Sequence, residues 1–360
     1  MNLSLSSINN YLLKFQKIPP AEKIFFIQHL RVMIRAGVSL SGALNALSRQ
    51  SENKRFKKIL ISVKDTVEKG NTFSEGLKKY PKVFGDLFIN MIEAGEVSGK
   101  LEETLEQLFI QIKKDHEIKS KIKGAMIYPA VVLFAMVVIG ILMLVFVIPK
   151  ITEIFTETNT QLPLPTRILI GISDFILNNG VWIVLFLIFF TIGGVFALRN
   201  KKGKYYFHFI LLRLPIVGKI IKKVNLARFS RTLSSLLKTD IPITKTLHIT
   251  SRILGNVIYK DVAFAAAEKI TKGVSIASTL KDRQDIFPPV VTEIITVGEE
   301  TGSLDSVLTE MAEFYEEEVD QTMKNLPSII EPVLILILGV GVALMAIAII
   351  MPMYSLTEAI

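Results

Sequence analysis

Glu93-Ala94-Gly95-Glu96-Val97-Ser98-Gly99-Lys100-Leu101 returns 203 residues later as Thr296-Val297-Gly298-Glu299-Glu300-Thr301-Gly302-Ser303-Leu304. Glycine, acid, serine or threonine, glycine and leucine recur at the same spacing, and the register holds outward in both directions. Upstream, Phe26 and Leu30 fall on Phe229 and Leu233, Leu44 on Leu247, Ser48-Arg49 on Ser251-Arg252, Gly70 on Gly273, Leu77 on Leu280 and Phe84 on Phe287. Downstream, Lys121 falls on Lys324, Pro129 on Pro332 and Pro149 on Pro352. A gapless match over more than a hundred positions marks one module written twice.

Half of the chain is apolar and mean hydropathy is +0.45, beyond an ordinary soluble composition. Pro129–Ile148, Val181–Leu198 and Pro332–Met351 are each about the length that crosses a bilayer as a helix, and none holds a charged side chain. The first thirty residues carry charges throughout and lack the apolar core of an export signal, so the amino terminus is expected in the cytoplasm. Residues 1–128 hold 21 Lys and Arg against 13 Asp and Glu, whereas 149–180 holds Lys150 and Arg167 against Glu153, Glu157 and Asp174. Basic residues return after the second span, from Arg199 to Lys223. Cationic flanks stay inside, which orders the segments inside, outside, inside, outside and leaves the carboxyl-terminal tail external. The net charge of +9 is then topological and requires no direct nucleic-acid partner.

Each repeat predicts about a hundred residues of short helices followed by a spanning helix that starts at a proline. Phe25, Leu30, Met33 and Ile34 share a helical period that Gly37 interrupts before Leu40, Leu44 and Leu47 resume it. Asp240 and Pro242 mark the equivalent turn of the second repeat. Gly70 ends one helix and Thr72 with Glu75 opens the next as a capping box. The expected fold is all-α: a polytopic membrane protein with two duplicated cytoplasmic bundles, each burying its own core, and three transmembrane helices. The expected divisions are a short arm (1–19), bundle copy 1 (20–124), span 1 (125–149), an external loop (150–180), span 2 (181–198), bundle copy 2 (199–327), span 3 (328–351) and an external tail (352–360).

The opening motif has two readings. In the structural one, Gly95 or Gly298 lets the chain leave a helix, Ser98 or Thr301 caps the next, and Leu101 or Leu304 packs. In the functional one, Gly95, Glu96, Gly99, Leu101, Gly298, Glu299, Gly302 and Leu304 form a partner surface. Glu96 and Glu299 are then its best candidates, because a turn needs glycines more than it needs an acid. A phosphate loop is excluded: it needs glycine where Ala94 and Arg213 stand, and serine or threonine where Leu101 and Ile220 stand. His29, His116, His208 and His248 lie in separate segments with no second ligand at metal spacing, so no metal, cofactor or catalytic constellation is expected. The acidic run from Glu310 to Asp320 is most simply a solvated helix face, with a basic partner or a divalent cation as the alternative occupant. Charge-free spans argue against a carrier, with Glu331 only at the edge of the third. Gly339, Ala343 and Ala346 share a smooth face on which another helix can pack, favouring a homo-oligomer.

Lys121 to Pro149 begins Lys-Ile-Lys-Gly-Ala-Met-Ile-Tyr-Pro and ends Val-Ile-Pro around an apolar span. That segment resembles the signature of the bacterial type II secretion protein F and type IV pilus platform family, with Lys121, Tyr128, Pro129 and Pro149 matching and Glu331-Pro332 as its second copy. The paired Gly-Glu-x-x-Gly-x-Leu turns resemble the family's duplicated soluble domain. The resemblance implies an inner-membrane platform, not an enzyme, that couples a cytoplasmic hexameric ATPase to insertion or removal of pilin or pseudopilin subunits, alongside other inner-membrane assembly proteins and membrane lipid. The arm is shorter than the leader of many secretion-type members, which points the resemblance toward a pilus or competence system. A passive membrane scaffold without a motor is the alternative.

Overall fold

Short polar side chains set the helix starts. The computed structural model describes residues 16–150, Glu153 and 164–358, and the greater part of the amino-terminal arm lies outside them. In the first repeat α1 is Pro20–Arg35, α2 Leu40–Gln50, α3 Lys54–Glu68, α4 Phe73–Lys78, α5 Pro81–Ser98 and α6 Leu101–Leu142. The Ser39 side chain accepts a hydrogen bond from the Gly42 amide at the start of α2, and Asn53 accepts from Arg55 and Phe56 at the start of α3. Thr72 and Glu75 form the expected capping box of α4. Gly37 and Gly70, at φ +79° and +85°, turn the chain where an L side chain is strained.

Two connecting helices follow, α7 (Leu164–Arg199) and α8 (Lys201–Arg213). The second repeat then runs α9 (Val217–Leu237), α10 (Ile243–Ile253), α11 (Val257–Ile270), α12 (Ile276–Lys281), α13 (Pro289–Thr301) and α14 (Leu304–Glu358). Asn256 and Ser275 cap α11 and α12 as Asn53 and Thr72 cap α3 and α4. Asp240, at φ 58°, holds the left-handed position that Gly37 holds in the first repeat. Among the described residues no strand occurs.

The same aromatic cluster centres both repeats. Phe26, Phe56 and Phe84 pack with ring centroids 5.5 to 6.4 Å apart, and their counterparts Phe229 and Tyr259 each lie 5.2 Å from Phe287. Each fully buried ring of this kind contributes about 1.5–3 kcal/mol relative to exposure. Tyr259 keeps its hydroxyl satisfied by donating to the Ile286 carbonyl at 2.7 Å, and burial pushes its pKa well above the usual tyrosine range.

Three expectations are corrected. The bundles do not keep separate cores: residues up to Lys119 and His208–Val319 form one compact unit, and Leu236, Ile241 and Ile249 of the second repeat belong to the hydrophobic core of the first. The spanning helices do not start at prolines, since α6 runs through Pro129 and α14 through Pro332. A proline inside a helix removes one amide donor, and the rest of these long helices carries the ladder past it. The segment expected as an external loop is helical from Leu164 onward, and the tail expected from Pro352 remains helical to Glu358. Residues 151, 152 and 154–163 of that loop lie outside the described residues.

The other unit holds Ser120–Phe207 and the chain from Asp320 onward. It contains the apolar parts of α6, α7 and α14, and three helices here are long and apolar enough to cross a membrane. Of the most apolar 18 residues in each, only 6%, 0% and 6% are buried, so their sides await lipid or other helices. Beyond α6 the backbone widens into a π-helical turn, Met143–Val147, and the Leu144 carbonyl in it accepts from the Ser173 hydroxyl at 2.5 Å. Thr166 similarly donates to the Ala348 carbonyl at 2.8 Å.

Candidate functional site: the repeated turn and the seam between repeats

Gly95 and Gly99 do different work, and the division corrects the expected helix exit. α5 passes straight through Gly95 and ends at Gly99, whose φ of +70° makes it the left-handed cap; Gly302, at +69°, ends α13 in the same way. Gly95 is buried because α5 and α6 meet there: a Cβ would lie 2.4 Å from Thr104 Oγ1. Gly298 is likewise pressed against Val307, where a Cβ would lie 2.5 Å from Cγ2. Ser98 and Thr301 do not cap the following helices but donate backward to Ala94 and Val297.

The repeated glutamates have internal partners. The Glu96 carboxylate accepts from the Phe73 and Ser74 amides at 2.5 and 2.8 Å, and Glu299 accepts from Ile276 and Ala277 at 2.6 and 3.1 Å. Each thereby caps the amino terminus of a neighbouring short helix, α4 or α12, where a carboxylate also meets the positive end of the helix dipole. Leu101 and Leu304, both half-buried, open α6 and α14.

The seam brings together residues with no sequence motif. Surfaces of α9 and α10 from the second repeat lie on α5 and α6 of the first. Arg228 donates to Asp115 at 2.9 Å, Arg252 to Asp86 at 3.1 Å and Lys100 to Asp240 at 2.6 Å. Gln111, buried in the seam, donates to Thr232 Oγ1 at 3.1 Å and accepts from Ser235 at 3.4 Å. Behind them, Arg231 grips Glu316 with two hydrogen bonds of 2.7 and 3.0 Å, both side chains 9% exposed, and Lys114 adds a third contact to Glu316 at 3.2 Å. An isolated buried carboxylate there would be costly; the bidentate fork satisfies it.

The acidic run is therefore only partly solvated. Glu310, Glu313 and Glu317 are exposed, while Glu316 is buried and Glu318 meets Lys223 at 2.7 Å. At the foot of the spans Asp320 accepts from Lys121 at 2.6 Å and from Lys324 at 2.8 Å. Hydrogen bonds from Lys121 and Lys324, the same residue of the two repeats, hold the Asp320 carboxyl below the usual carboxylate range. Of the other signature positions, Tyr128 is 49% exposed, Pro129 is buried, Pro149 is half-buried, and Glu331 and Pro332 are exposed on α14. Gly339 and Ala343 are exposed and Ala346 half-buried, leaving the small-residue face uncovered within one chain.

Sequence reasoning missed Arg231, Gln111 and Asp115. The available signal was Ser230-Arg231-Thr232-Leu233-Ser234-Ser235, where short polar side chains replace Ile27-Gln28-His29-Leu30-Arg31-Val32 of the other repeat. Among the described residues no cluster of three or more His, Asp or Glu is arranged to hold a metal.

The family model for type II secretion system protein F matches residues 26–149 and again residues 229–352. The chain belongs to that family. The two matches are offset by the same interval as the repeated turns, so each family unit joins one soluble repeat to one span. The type IV pilus assembly protein PilC of Thermus thermophilus is 36% identical over 331 residues, covering 92% of this chain and 81% of that protein. PilC of Myxococcus xanthus is 33% identical over 337 residues, 94% and 81% of the two chains. Type II secretion system protein F of Pseudomonas aeruginosa is 30% identical over 331 residues, 92% and 82%.

Proposed function

We propose that the chain is an inner-membrane platform of a type IV pilus, competence or type II secretion machine, coupling a cytoplasmic hexameric ATPase to insertion or removal of pilin-like subunits. The observation that carries this reading is the double family match, with relatives on both the pilus and the secretion side. The two repeats support it by forming one ion-paired, hydrogen-bonded body rather than two loosely tethered ones. A motor acting on either repeat would move both. α6 and α14 run unbroken from that body into apolar segments, a route by which such movement reaches the membrane. The amino terminus is placed in the cytoplasm and the carboxyl terminus outside, in keeping with the charge distribution.

The test is a detergent pull-down of the intact chain from its native membrane with mass spectrometry of what copurifies. A secretion-type ATPase together with pilin-like subunits is the expected result. Recovery of neither, from folded and abundant protein, would overturn the platform reading in favour of a passive scaffold. Charge reversal at Glu96 or Glu299 is unsuited to this test, since both carboxylates cap helices internally and their loss reads out as stability first.

A further inference from the structure

The seam uses one face of each repeat, and duplication means that each repeat also carries the other's face. Seated on the first repeat's α5–α6 surface are Arg228, Ser235 and Ile241 of the second. Their counterparts in the first repeat, 203 positions earlier, are Phe25, Val32 and Val38, which stand 44%, 52% and 42% exposed. On the receiving side Gln111 bonds to Thr232 and Ser235, and Leu87 and Ala94 pack against the core cluster that Leu236, Ile241 and Ile249 join. The counterparts of Leu87, Ala94 and Gln111 in the second repeat are Val290, Val297 and Phe314, 54%, 53% and 57% exposed, and they line an apolar groove of about 530 Å³ between α13 and α14.

One donor face and one receiving face are thus joined inside the chain, and a second pair of the same faces is left open. The open pair differs from the closed pair in chemistry. Where the internal seam has Arg228 and Gln111, the open faces have Phe25 and Phe314, so they trade ion pairs and amide bonds for exposed apolar area of the kind that marks interaction sites. Charge is complementary as well. Exposed Arg49 lies on the donor side, as Arg252 does in the seam, and Glu293 and Glu310 edge the groove.

We infer that the α13–α14 groove of one copy receives the α1–α2 face of a second copy of this chain, repeating between chains the contact already made within one. The two faces are different surfaces, so the contact is head to tail. An assembly motor or another partner in the groove is the competing occupant.

The chain has no cysteine, so single cysteines report unambiguously. Gln111 and Ser235 touch inside the seam at 3.4 Å, and their open counterparts are Phe314 and Val32. Differently tagged Val32→Cys and Phe314→Cys chains, coexpressed in native membranes and oxidised, are expected to give the mixed disulfide dimer as the main product. Val97→Cys, 86% exposed but off both faces, should give none with either. Phe314→Glu should shift the detergent-solubilised chain to a single copy by mass photometry while its helical circular dichroism is retained. The inference fails if both cysteines react with a maleimide yet no mixed dimer forms. It also fails if Phe314→Cys links to itself or to a motor subunit instead, or if folded Phe314→Glu remains associated.

Discussion

α1 and α9 are the same helix written twice, yet they live in different surroundings. On α1 only Phe26, Ile27 and Leu30 are buried; on α9 almost every residue from Val224 to Leu236 is. The polarity runs opposite to the burial. From Val224 to Leu236 α9 is covered on nearly all sides while carrying Ser230, Arg231, Thr232, Ser234 and Ser235, and α1 shows Phe25 and Val32 to its surroundings. Burial followed the seam rather than hydrophobicity, and the buried helix met it with short hydroxyl side chains and one paired arginine. A polar helix inside and apolar side chains outside are what a heterologous contact between two copies of one fold leaves behind.

Substitutions at matched positions sharpen this contrast, each read by thermal unfolding of the detergent-solubilised full chain. The largest effect belongs to Arg231→Met, which removes both Arg231 hydrogen bonds from buried Glu316, leaves it Lys114 alone, and should cost about 3 kcal/mol. Gln28→Met, the same position on α1, should change stability by no more than about 0.5 kcal/mol. Equal losses at the two positions would break the comparison. Adding Glu316→Leu to Arg231→Met should recover most of the loss, because it removes a buried carboxylate that Lys114 alone satisfies incompletely.

Next come Gly95→Ala and Gly298→Ala, where the comparison predicts sameness. Both glycines mark a close helix approach internal to a repeat, so each should cost about 1–3 kcal/mol through overpacking against Thr104 or Val307. Glu96→Ala and Glu299→Ala should each cost about 1–2 kcal/mol by leaving two helix-start amides without their acceptor. A loss in one repeat only would show that the turn has diverged in role. The smallest effect is expected for Asp240→Gly, with the unfolding midpoint nearly unchanged. It relieves the left-handed backbone but removes the exposed pair with Lys100, and the two nearly cancel.

Much of this architecture was legible because its causes are local. Gly70, Thr72 with Glu75, and Asp240 each fix the backbone through their own side chain or lack of one, and the structure places them as the spacing predicts. The three apolar spans were legible for the same reason, since length and composition alone define them. What was not legible depends on distant partners. Nothing local distinguishes Gly95, needed for close approach, from Gly99, needed for positive φ, and the helix exit was assigned to the wrong one. Glu316 looks like its exposed neighbours Glu313 and Glu317 until Arg231, 85 residues away, is brought beside it. The joining of two expected cores into one unit follows from Ile241 and Ile249 packing on the first repeat, a pairing that no period in either segment announces.

The π turn at Met143–Val147 amounts to one residue more than a regular helix requires. Deleting a single residue there would restore the ordinary ladder and leave the residues beyond it near their present bearing, because the wide turn already absorbs the roughly 100° that one more residue adds to a regular helix. Pro149 would keep its bearing, but Ser173 would lose the Leu144 carbonyl that the wide turn now presents to it. This short widening takes in one residue beyond the regular count without turning the far end of the first apolar helix away from the side it now shows.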